Sequence, residues 1–261
     1  MALARAGLDR LLSWPADLLR VLWRLAWMLL HLSHGMALIA LRFPGLDAPG
    51  RQALVQWWSL RLLRLIGVAL TVHGQPRPGS CLLVSNHVSW LDIATLHAAC
   101  PQARFVAKSD VLGWPLLGWL IRNVGTLFIE RERKRDALRV VHEIARALDR
   151  GETIGVFPEG TTGPGAAVLP FHANLLQAAI SVQATIQPAM LRYSQPGQRF
   201  SWAAQFIDET TLVVSIWRVI SARGLQVELR FLPPESSAHA ERRALAERLR
   251  SQIQRALDQS A

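Results

Sequence analysis

The stretch that decides the fold runs from residue 82 to residue 99 and reads LLVSNHVSWLDIATLHAA. Its first three residues are apolar and, together with Ser85, form a run of the kind that makes a strand buried on both faces. Residues 93–99, after a polar turn, have the composition of a helix. A buried strand that passes through a short turn into a helix is typical of an α/β sheet, whose ligand sites form at the carboxyl ends of strands.

The chain beyond Gly67 repeats this alternation of short apolar runs and longer polar stretches. Strands are predicted at 68–72, 82–85, 104–107, 126–129, 153–157, 185–191 and 226–232. Helices are predicted at 93–99, 115–122, 135–150, 171–180 and 238–256. The pattern therefore predicts an α/β domain over residues 67–261, with a mixed, largely parallel sheet flanked by helices.

The preceding segment, residues 1–66, is predicted to hold two membrane-inserting helices. Residues 25–41 carry no formal charge and are bounded by Arg24 and Arg42. A helix of that length reaches roughly 25 Å, short of a hydrocarbon core about 30 Å thick, so we expect it to dip into one leaflet. Residues 53–66 form an amphipathic pattern, and five of the ten tryptophans lie in the first 58 residues. The alternative is a helical hairpin that only packs on the domain.

The net charge of the chain indicates which classes of binding partner to expect. The chain has 29 Lys and Arg against 19 Asp and Glu, a formal net charge of +10, which favours phosphate, anionic lipid or an acidic carrier protein. Nucleic acid is not expected, because the excess is mostly arginine scattered among apolar helices without a basic and aromatic stripe. Cys81 and Cys100 lie in no metal-ligand spacing and are expected to be buried thiols.

The turn after residue 85 carries the candidate catalytic pair, His87 and Asp92. In a straight helix these residues would lie about 140° apart, so they meet only if the chain turns between them. A carboxylate bonded to one imidazole nitrogen stabilises the imidazolium and leaves the other nitrogen free to accept a proton. His87 is therefore a candidate general base. A helix-capping aspartate beside an ordinary histidine is the simpler alternative.

A second candidate segment is FPEGTTG at residues 157–163, which ends another apolar run. Gly160 allows a close approach of the backbone to a ligand, and Pro158 ends the strand ladder. Glu159 is expected at the same sheet edge as His87. The alternative is an ordinary turn with a solvated glutamate.

Together these blocks resemble the glycerolipid acyltransferases typified by bacterial 1-acylglycerol-3-phosphate acyltransferase. The family's N-H-x-S-x-x-D block matches Asn86, His87, Ser89 and Asp92. Its G-x-x-F-I-D/E-R block is similar to residues 125–131, its F-P-E-G-T block to residues 157–161, its proline block to residues 186–190 and its lysine segment to residues 105–108. The blocks occur in the family's order across residues 68–191.

The resemblance implies transfer of a fatty acyl group from acyl carrier protein or coenzyme A to a lysophospholipid hydroxyl, a step of phospholipid biosynthesis, with no metal or other cofactor. His87 is then the base and Asp92 its partner. The implied substrate-binding residues are Asn86, Ser89, Lys108, Arg131, Glu159, Gly160 and Thr161. Arg131 suits an acceptor phosphate, although residues 130–135 also resemble a solvated charged run.

The acceptor is less well fixed than the reaction. The expected acceptor is 1-acylglycerol-3-phosphate, giving phosphatidic acid, at the cytoplasmic face of the inner membrane in a monotopic or peripheral protein. Many family members carry arginine after F-P-E-G-T, whereas this chain has Thr162, and fewer cations make lyso-ornithine lipid the alternative acceptor. An esterase lacks its G-x-S-x-G elbow here. A catalytically inactive lipid-binding protein is the alternative of another class.

Overall fold

A computed structural model describes residues 2–108, 113, 117–129 and 134–260. The helices are α1 (Ala2–Leu41), α2 (Ala48–Ile66), α3 (Leu91–Ala99), α4 (Leu117–Asn123), α5 (Lys134–Asp149), α6 (Gln177–Ser181), α7 (Leu212–Ser221) and α8 (Arg242–Gln259). The strands are β1 (Val68–His73), β2 (Cys81–Ser85), β3 (Arg104–Lys108), β4 (Leu127–Ile129), β5 (Thr153–Val156), β6 (Thr185–Ser194), β7 (Leu225–Phe231) and β8 (Glu235–Ser236). Short 3-10 helices occur at Phe43–Gly45 and Ala173–Leu176.

The strands of the described part form a sheet in the order β1-β7-β6-β2-β5-β3-β4, and β8 pairs with β6. Strand β2 is parallel to both of its neighbours, β5 and β6, and β3 and β4 continue the parallel arrangement. Strand β7 runs antiparallel to β6. The prediction of a mixed, largely parallel sheet flanked by helices is confirmed, and the carboxyl ends of β2, β3, β4 and β5 lie along one edge.

The sequence pattern did not predict helix α7, because its β-branched residues favour a strand when no tertiary context is known. The helix begins after Thr211, whose hydroxyl accepts a hydrogen bond from the Val214 amide at 3.3 Å. The helix predicted at 171–180 is also wrong over its first residues. The amide of His172 donates to the Pro158 carbonyl at 2.8 Å, which holds the chain extended before a 3-10 turn and the short α6.

Helix α2 joins the N-terminal segment to the domain. Its N-terminus is capped by Asp47, which accepts from the Gly50 amide at 2.9 Å, and it ends at Gly67 in a left-handed conformation with φ of 81°. Its buried Leu62, Leu63 and Ile66 belong to the same apolar core as residues of β2 and α3. Residues 1–66 and 67–261 therefore share a core, and the division at residue 66 stays a prediction.

Helix α1 contains the membrane candidate. Ala16–Leu41 is long and apolar enough to cross a membrane, judged by length and composition alone. This 26-residue segment reaches roughly 39 Å, whereas the uncharged stretch at 25–41 predicts roughly 25 Å. Val21, Met28 and Ile39 are buried against the protein, whereas other apolar residues of this helix are exposed. Whether the helix dips or spans stays a prediction.

Candidate active site

The turn between β2 and α3 brings His87 and Asp92 together, as the sequence predicted. Nδ1 of His87 lies 2.7 Å from Oδ2 of Asp92. The same oxygen accepts hydrogen bonds from the amides of Val88 at 2.7 Å and Ser89 at 2.9 Å. Asp92 lies in the first turn of α3, so its side chain folds back over the entry of its own helix. The carboxylate therefore fixes both the turn and the ring.

Asp92 is fully buried, and a buried carboxylate is tolerated only when its lone pairs are bonded. Its second oxygen, Oδ1, accepts a hydrogen bond from the hydroxyl of Tyr193 at 2.8 Å. Burial, together with the charge of Asp92, raises the pKa of Tyr193 well above its ordinary value, so this phenol stays protonated and donates. Every oxygen of the buried acid is thus occupied by a donor.

The free nitrogen of His87 faces outward. Since Asp92 accepts from Nδ1, the hydrogen-bond network assigns the proton to that atom and the lone pair to Nε2. No described residue bonds to Nε2, and the side chain is 21% exposed. An imidazole in this state can accept a proton from a hydroxyl group that arrives at the sheet edge.

Aromatic packing fixes the plane of the His87 ring. The ring stacks on Phe157 with 4.1 Å between the centroids and 15° between the planes, and Phe157 stacks on Phe105. Phe105 in turn needs Gly155, because a Cβ there would lie 2.4 Å from Cε1 of Phe105. The small residue on β5 therefore makes room for the rings behind the histidine.

We call residues 86–90, between β2 and α3, the catalytic turn, and Glu159 holds its backbone. Its two carboxyl oxygens accept hydrogen bonds from the amides of His87 at 2.7 Å and Leu169 at 2.9 Å. The side chain is buried, so the alternative of a solvated glutamate is wrong. Burial raises the pKa of Glu159 to about 7, although these two amide donors act in the opposite direction. Gly160 follows with φ of 73°, a left-handed conformation that favours glycine.

Two of the predicted substrate-binding residues point into the protein. Asn86 is buried, and its amide exchanges hydrogen bonds of 2.9 and 2.8 Å with the backbone of Leu191 on β6. Ser89 is also buried, and its Oγ has no partner among the described residues. Asn86 thus positions the end of β2, whereas Thr161 is exposed beside Gly160. Substrate contacts by these residues stay predictions.

Of the two predicted phosphate-binding cations, Lys108 is the last described residue of β3 and Arg131 is not described. Lys108 ends β3, where its backbone is in register with Ile129 of β4, on the same sheet edge as His87. Arg131 lies outside the described residues. Phosphate binding by either residue stays a prediction.

Sequence reasoning missed several residues that support the turn. Tyr193 is the chain's one tyrosine, but nothing in the sequence links it to Asp92 across 101 positions. Trp90 donates from Nε1 to Oγ of Ser215 at 3.1 Å, and the amide of Phe206 donates to the Val88 carbonyl at 3.1 Å. These contacts come from distant segments, so only the folded chain reveals them.

The described residues contain no group of three His, Cys, Asp or Glu side chains placed to hold a metal ion. Cys81 and Cys100 are free and buried, as predicted. Burial raises the pKa of Cys81 to about 11 and that of Cys100 to about 12. Neither thiol is therefore a candidate nucleophile.

Known proteins match both the sequence and the fold. Residues 69–192 match the family model described as Acyltransferase. A lyso-ornithine lipid O-acyltransferase from Pseudomonas aeruginosa is 34% identical over 245 residues, covering 92% of this chain and 94% of that protein. A 1-acyl-sn-glycerol-3-phosphate acyltransferase from Neisseria gonorrhoeae is 34% identical over 190 residues, covering 72% and 73%.

A solved structure shares the fold. The 1-acyl-sn-glycerophosphate acyltransferase PlsC from Thermotoga maritima superposes with a TM-score of 0.69 at 18% identity, covering 94% of this chain and 96% of that chain. This likeness includes the helices that precede the sheet, since so much of both chains is covered. The sequence matches and the His87–Asp92 pair lead to one conclusion, that this chain belongs to the acyltransferase family and is an enzyme of membrane-lipid acylation.

Proposed function

We propose that the enzyme transfers a fatty acyl group from an acyl thioester to the free hydroxyl of a lysolipid, with His87 as the general base. The observation that carries this proposal is the imidazole held through Nδ1 by a buried carboxylate, with Nε2 open to the outside. Nε2 takes the proton of the acceptor hydroxyl while the hydroxyl oxygen attacks the thioester carbonyl. The tetrahedral intermediate then expels the thiolate, which receives the proton from the imidazolium. Base assistance of this kind contributes about 10² to 10⁴ in rate.

The oxyanion of that intermediate needs its own donors. The amides of Val88 and Ser89, at the start of the helix, already donate to Asp92. The amides of Thr161 and Thr162, in the turn after Gly160, have no hydrogen-bond partner among the described residues. We therefore assign the oxyanion to the Gly160 turn.

Two acceptors are in question, 1-acylglycerol-3-phosphate and lyso-ornithine lipid. The structure offers one observation that favours the second. Thr162 stands where many family members have arginine, and its hydroxyl is bonded to the carbonyl of Phe206. That position therefore supplies no cation for an acceptor phosphate, whereas a zwitterionic headgroup requires less positive charge. The extensive match to the Pseudomonas enzyme supports the same choice.

The donor is acyl carrier protein or coenzyme A, used as a co-substrate, and the proposed reaction needs no metal or other cofactor. Both donors are anionic, which suits a chain with a formal net charge of +10. The free thiols Cys81 and Cys100 suit a reducing compartment. We therefore place the enzyme at the cytoplasmic face of the inner membrane.

The apolar helix α1 and the membrane-lipid acyltransferase relatives indicate membrane association. The chemistry of the acceptor explains why this is useful. Each buried methylene contributes about 0.8 kcal/mol, so removing a chain of about sixteen carbons from a bilayer costs roughly 12 kcal/mol. An active site at the membrane surface avoids that cost. We propose monotopic or peripheral attachment, because α1 packs against α2 and α7 on one side.

The test is an assay of the purified enzyme on vesicles. Each acceptor, 1-acylglycerol-3-phosphate and lyso-ornithine lipid, is paired with each donor, acyl carrier protein and coenzyme A thioesters. We expect turnover that His87→Ala lowers by about 10² to 10⁴ while the variant still binds vesicles. Turnover of lysophosphatidate alone would contradict the ornithine preference. A folded, vesicle-bound enzyme that acylates neither acceptor would contradict the proposed function.

A further inference from the structure

Helix α7 has two faces with different surroundings. Its inner face carries the buried Ser215, whose Oγ accepts a hydrogen bond from Trp90 inside the catalytic turn. Its outer face carries Val213, Val214 and Trp217, and Val213 is 76% exposed. An apolar helix face left open to water is unfavourable unless something covers it. The helix therefore joins the catalytic turn to an uncovered apolar surface.

A second tryptophan extends this surface. Trp202 is 54% exposed, and the guanidinium carbon of Arg218 lies 5.5 Å from its ring centroid. We call the set Trp202, Val213, Val214, Trp217 and Arg218 the α7 surface. It combines exposed aliphatic groups, two indole rings and one cation, the composition found where proteins meet lipid headgroups.

The α7 surface lies on a helix that is hydrogen-bonded to the apolar helix α1. Nη1 of Arg24 donates to the carbonyls of Ile220 and Ala222 at 2.8 and 2.9 Å, at the carboxyl end of α7. Arg20 donates to the carbonyl of Ser221. The same part of α1 exposes Leu18, Leu19, Leu22 and Trp23. Two uncovered apolar surfaces therefore lie on elements that are bonded to each other.

We propose that the α7 surface is a second membrane contact, whose occupant is a bilayer containing anionic phospholipid. This inference rests on the proposed membrane association of α1 and goes beyond it. The two contacts together fix the orientation of the domain on the bilayer, and the bond from Trp90 to Ser215 then holds the catalytic turn beside the headgroups. The acceptor hydroxyl lies at that depth, so the lysolipid meets His87 without leaving the membrane.

The test uses single cysteines labelled with a polarity-sensitive fluorophore in the full chain. Val213→Cys reports on the α7 surface, and Leu29→Cys reports on α1. Leu138→Cys is the matched control, since Leu138 is 63% exposed on α5. The native cysteines are buried, so the label goes to the new position. The vesicles contain phosphatidylethanolamine and phosphatidylglycerol in equal parts.

We expect the labels at positions 213 and 29 to shift to the blue on vesicle binding, and the label at 138 to stay unchanged. A response at 29 without one at 213 would overturn the second contact while membrane association stands. No response at 29 or 213 would overturn both. A response at 213 to acyl carrier protein but not to vesicles would assign the surface to a protein partner and overturn the proposal.

An activity measurement gives an independent readout. The double variant Val213→Gln, Trp217→Gln should raise the KM for a lysolipid presented in vesicles on the order of tenfold, because binding strength scales with buried apolar area. Turnover of a water-soluble, short-chain lysolipid should stay unchanged, as should both activities of Leu138→Gln. An equal loss on both acceptors would indicate damage to the catalytic turn and would contradict a lipid-contact role.

Discussion

His87 in the catalytic turn and His31 in the helical hairpin formed by α1 and α2 each stack on an aromatic ring but have different hydrogen-bond partners. His87 stacks on Phe157 at 4.1 Å, and His31 stacks on Trp58 at 4.9 Å with 10° between the planes. His87 is bonded to a buried carboxylate. Nε2 of His31 is bonded to the backbone carbonyl of Trp58 at 2.9 Å, and the Trp58 indole donates to the His31 carbonyl at 3.1 Å.

The difference lies in what each partner does for the protonated ring. A carboxylate stabilises an imidazolium, so His87 can accept and return a proton. The carbonyl at His31 completes a reciprocal pair of hydrogen bonds that joins α1 to α2. His97 marks the opposite extreme, since burial lowers its pKa to about 4 and its Nδ1 has no partner among the described residues. In the proposed mechanism, the partner atom rather than the aromatic neighbour decides which histidine acts as the base.

The largest effect should come from removing the base. His87→Ala should lower kcat by about 10² to 10⁴, because proton transfer from the acceptor loses its base. Asp92→Asn should also lower kcat, and it places an amide group where the Val88 and Ser89 amides donate. Steady-state assays on vesicles measure both effects. His142→Ala, on the outer face of α5, is the control. If His87→Ala retained full activity, the contrast between His87 and His31 would not hold.

Glu159 should make stability depend on pH. Its pKa is raised from 4.5 to about 7 in the folded protein, so the folded state binds more protons than the unfolded state within that window. The free energy of unfolding should therefore fall as pH rises from 4.5 to 7, by at most about 3 kcal/mol. Urea unfolding of the wild type and Glu159→Gln measures this. If the free energies of unfolding of the wild type and Glu159→Gln differed by the same amount at every pH from 4.5 to 7, the raised pKa of Glu159 would be contradicted.

The hydrogen bonds that join α1 to α2 at His31 should contribute to stability and not to catalysis. His31→Leu removes the bond to the Trp58 carbonyl and should lower the free energy of unfolding by about 1 to 2 kcal/mol. His34→Leu is the matched control, because His34 is exposed on the same helix and contacts Trp57 and His31 through its ring alone. Thermal unfolding with parallel assays separates the effects. A fall in kcat for folded His31→Leu would show that this histidine takes part in catalysis.

The smallest effect should come from Tyr193→Phe, which removes one donor from Asp92. We expect kcat to fall by about threefold to tenfold, because the carboxylate that orients the His87 ring is then held by one hydrogen bond fewer. KM should stay unchanged, because Tyr193 is buried away from the acceptor. Thr95→Val, which alters the 3.4 Å contact to the Tyr193 hydroxyl, should leave kcat unchanged. An unchanged kcat in Tyr193→Phe would limit Tyr193 to packing.

Much of the fold could be predicted because its signals are local. Strands β2 and β5, which lead into the catalytic turn and the Gly160 turn, are largely apolar and fully buried, as buried parallel strands require. Helix α7 could not be predicted, because its valines by themselves favour a strand. Two tertiary contacts favour the helix instead: the hydrogen bond between Ser215 and Trp90, and the packing of its apolar side against the core. The length of α2 was underestimated because its first turn depends on the Asp47 cap and the 3-10 turn before it.

The sequence by itself determined that His87 and Asp92 meet, because they are five residues apart and one turn suffices to join them. The family motifs also determined the reaction class. Only the tertiary structure decided that Glu159 and Tyr193 support this pair, across 72 and 101 positions, and that α7 lies between the turn and an open apolar surface. Contacts at such separations depend on how the strands are ordered in the sheet, and local propensity carries no information about that order.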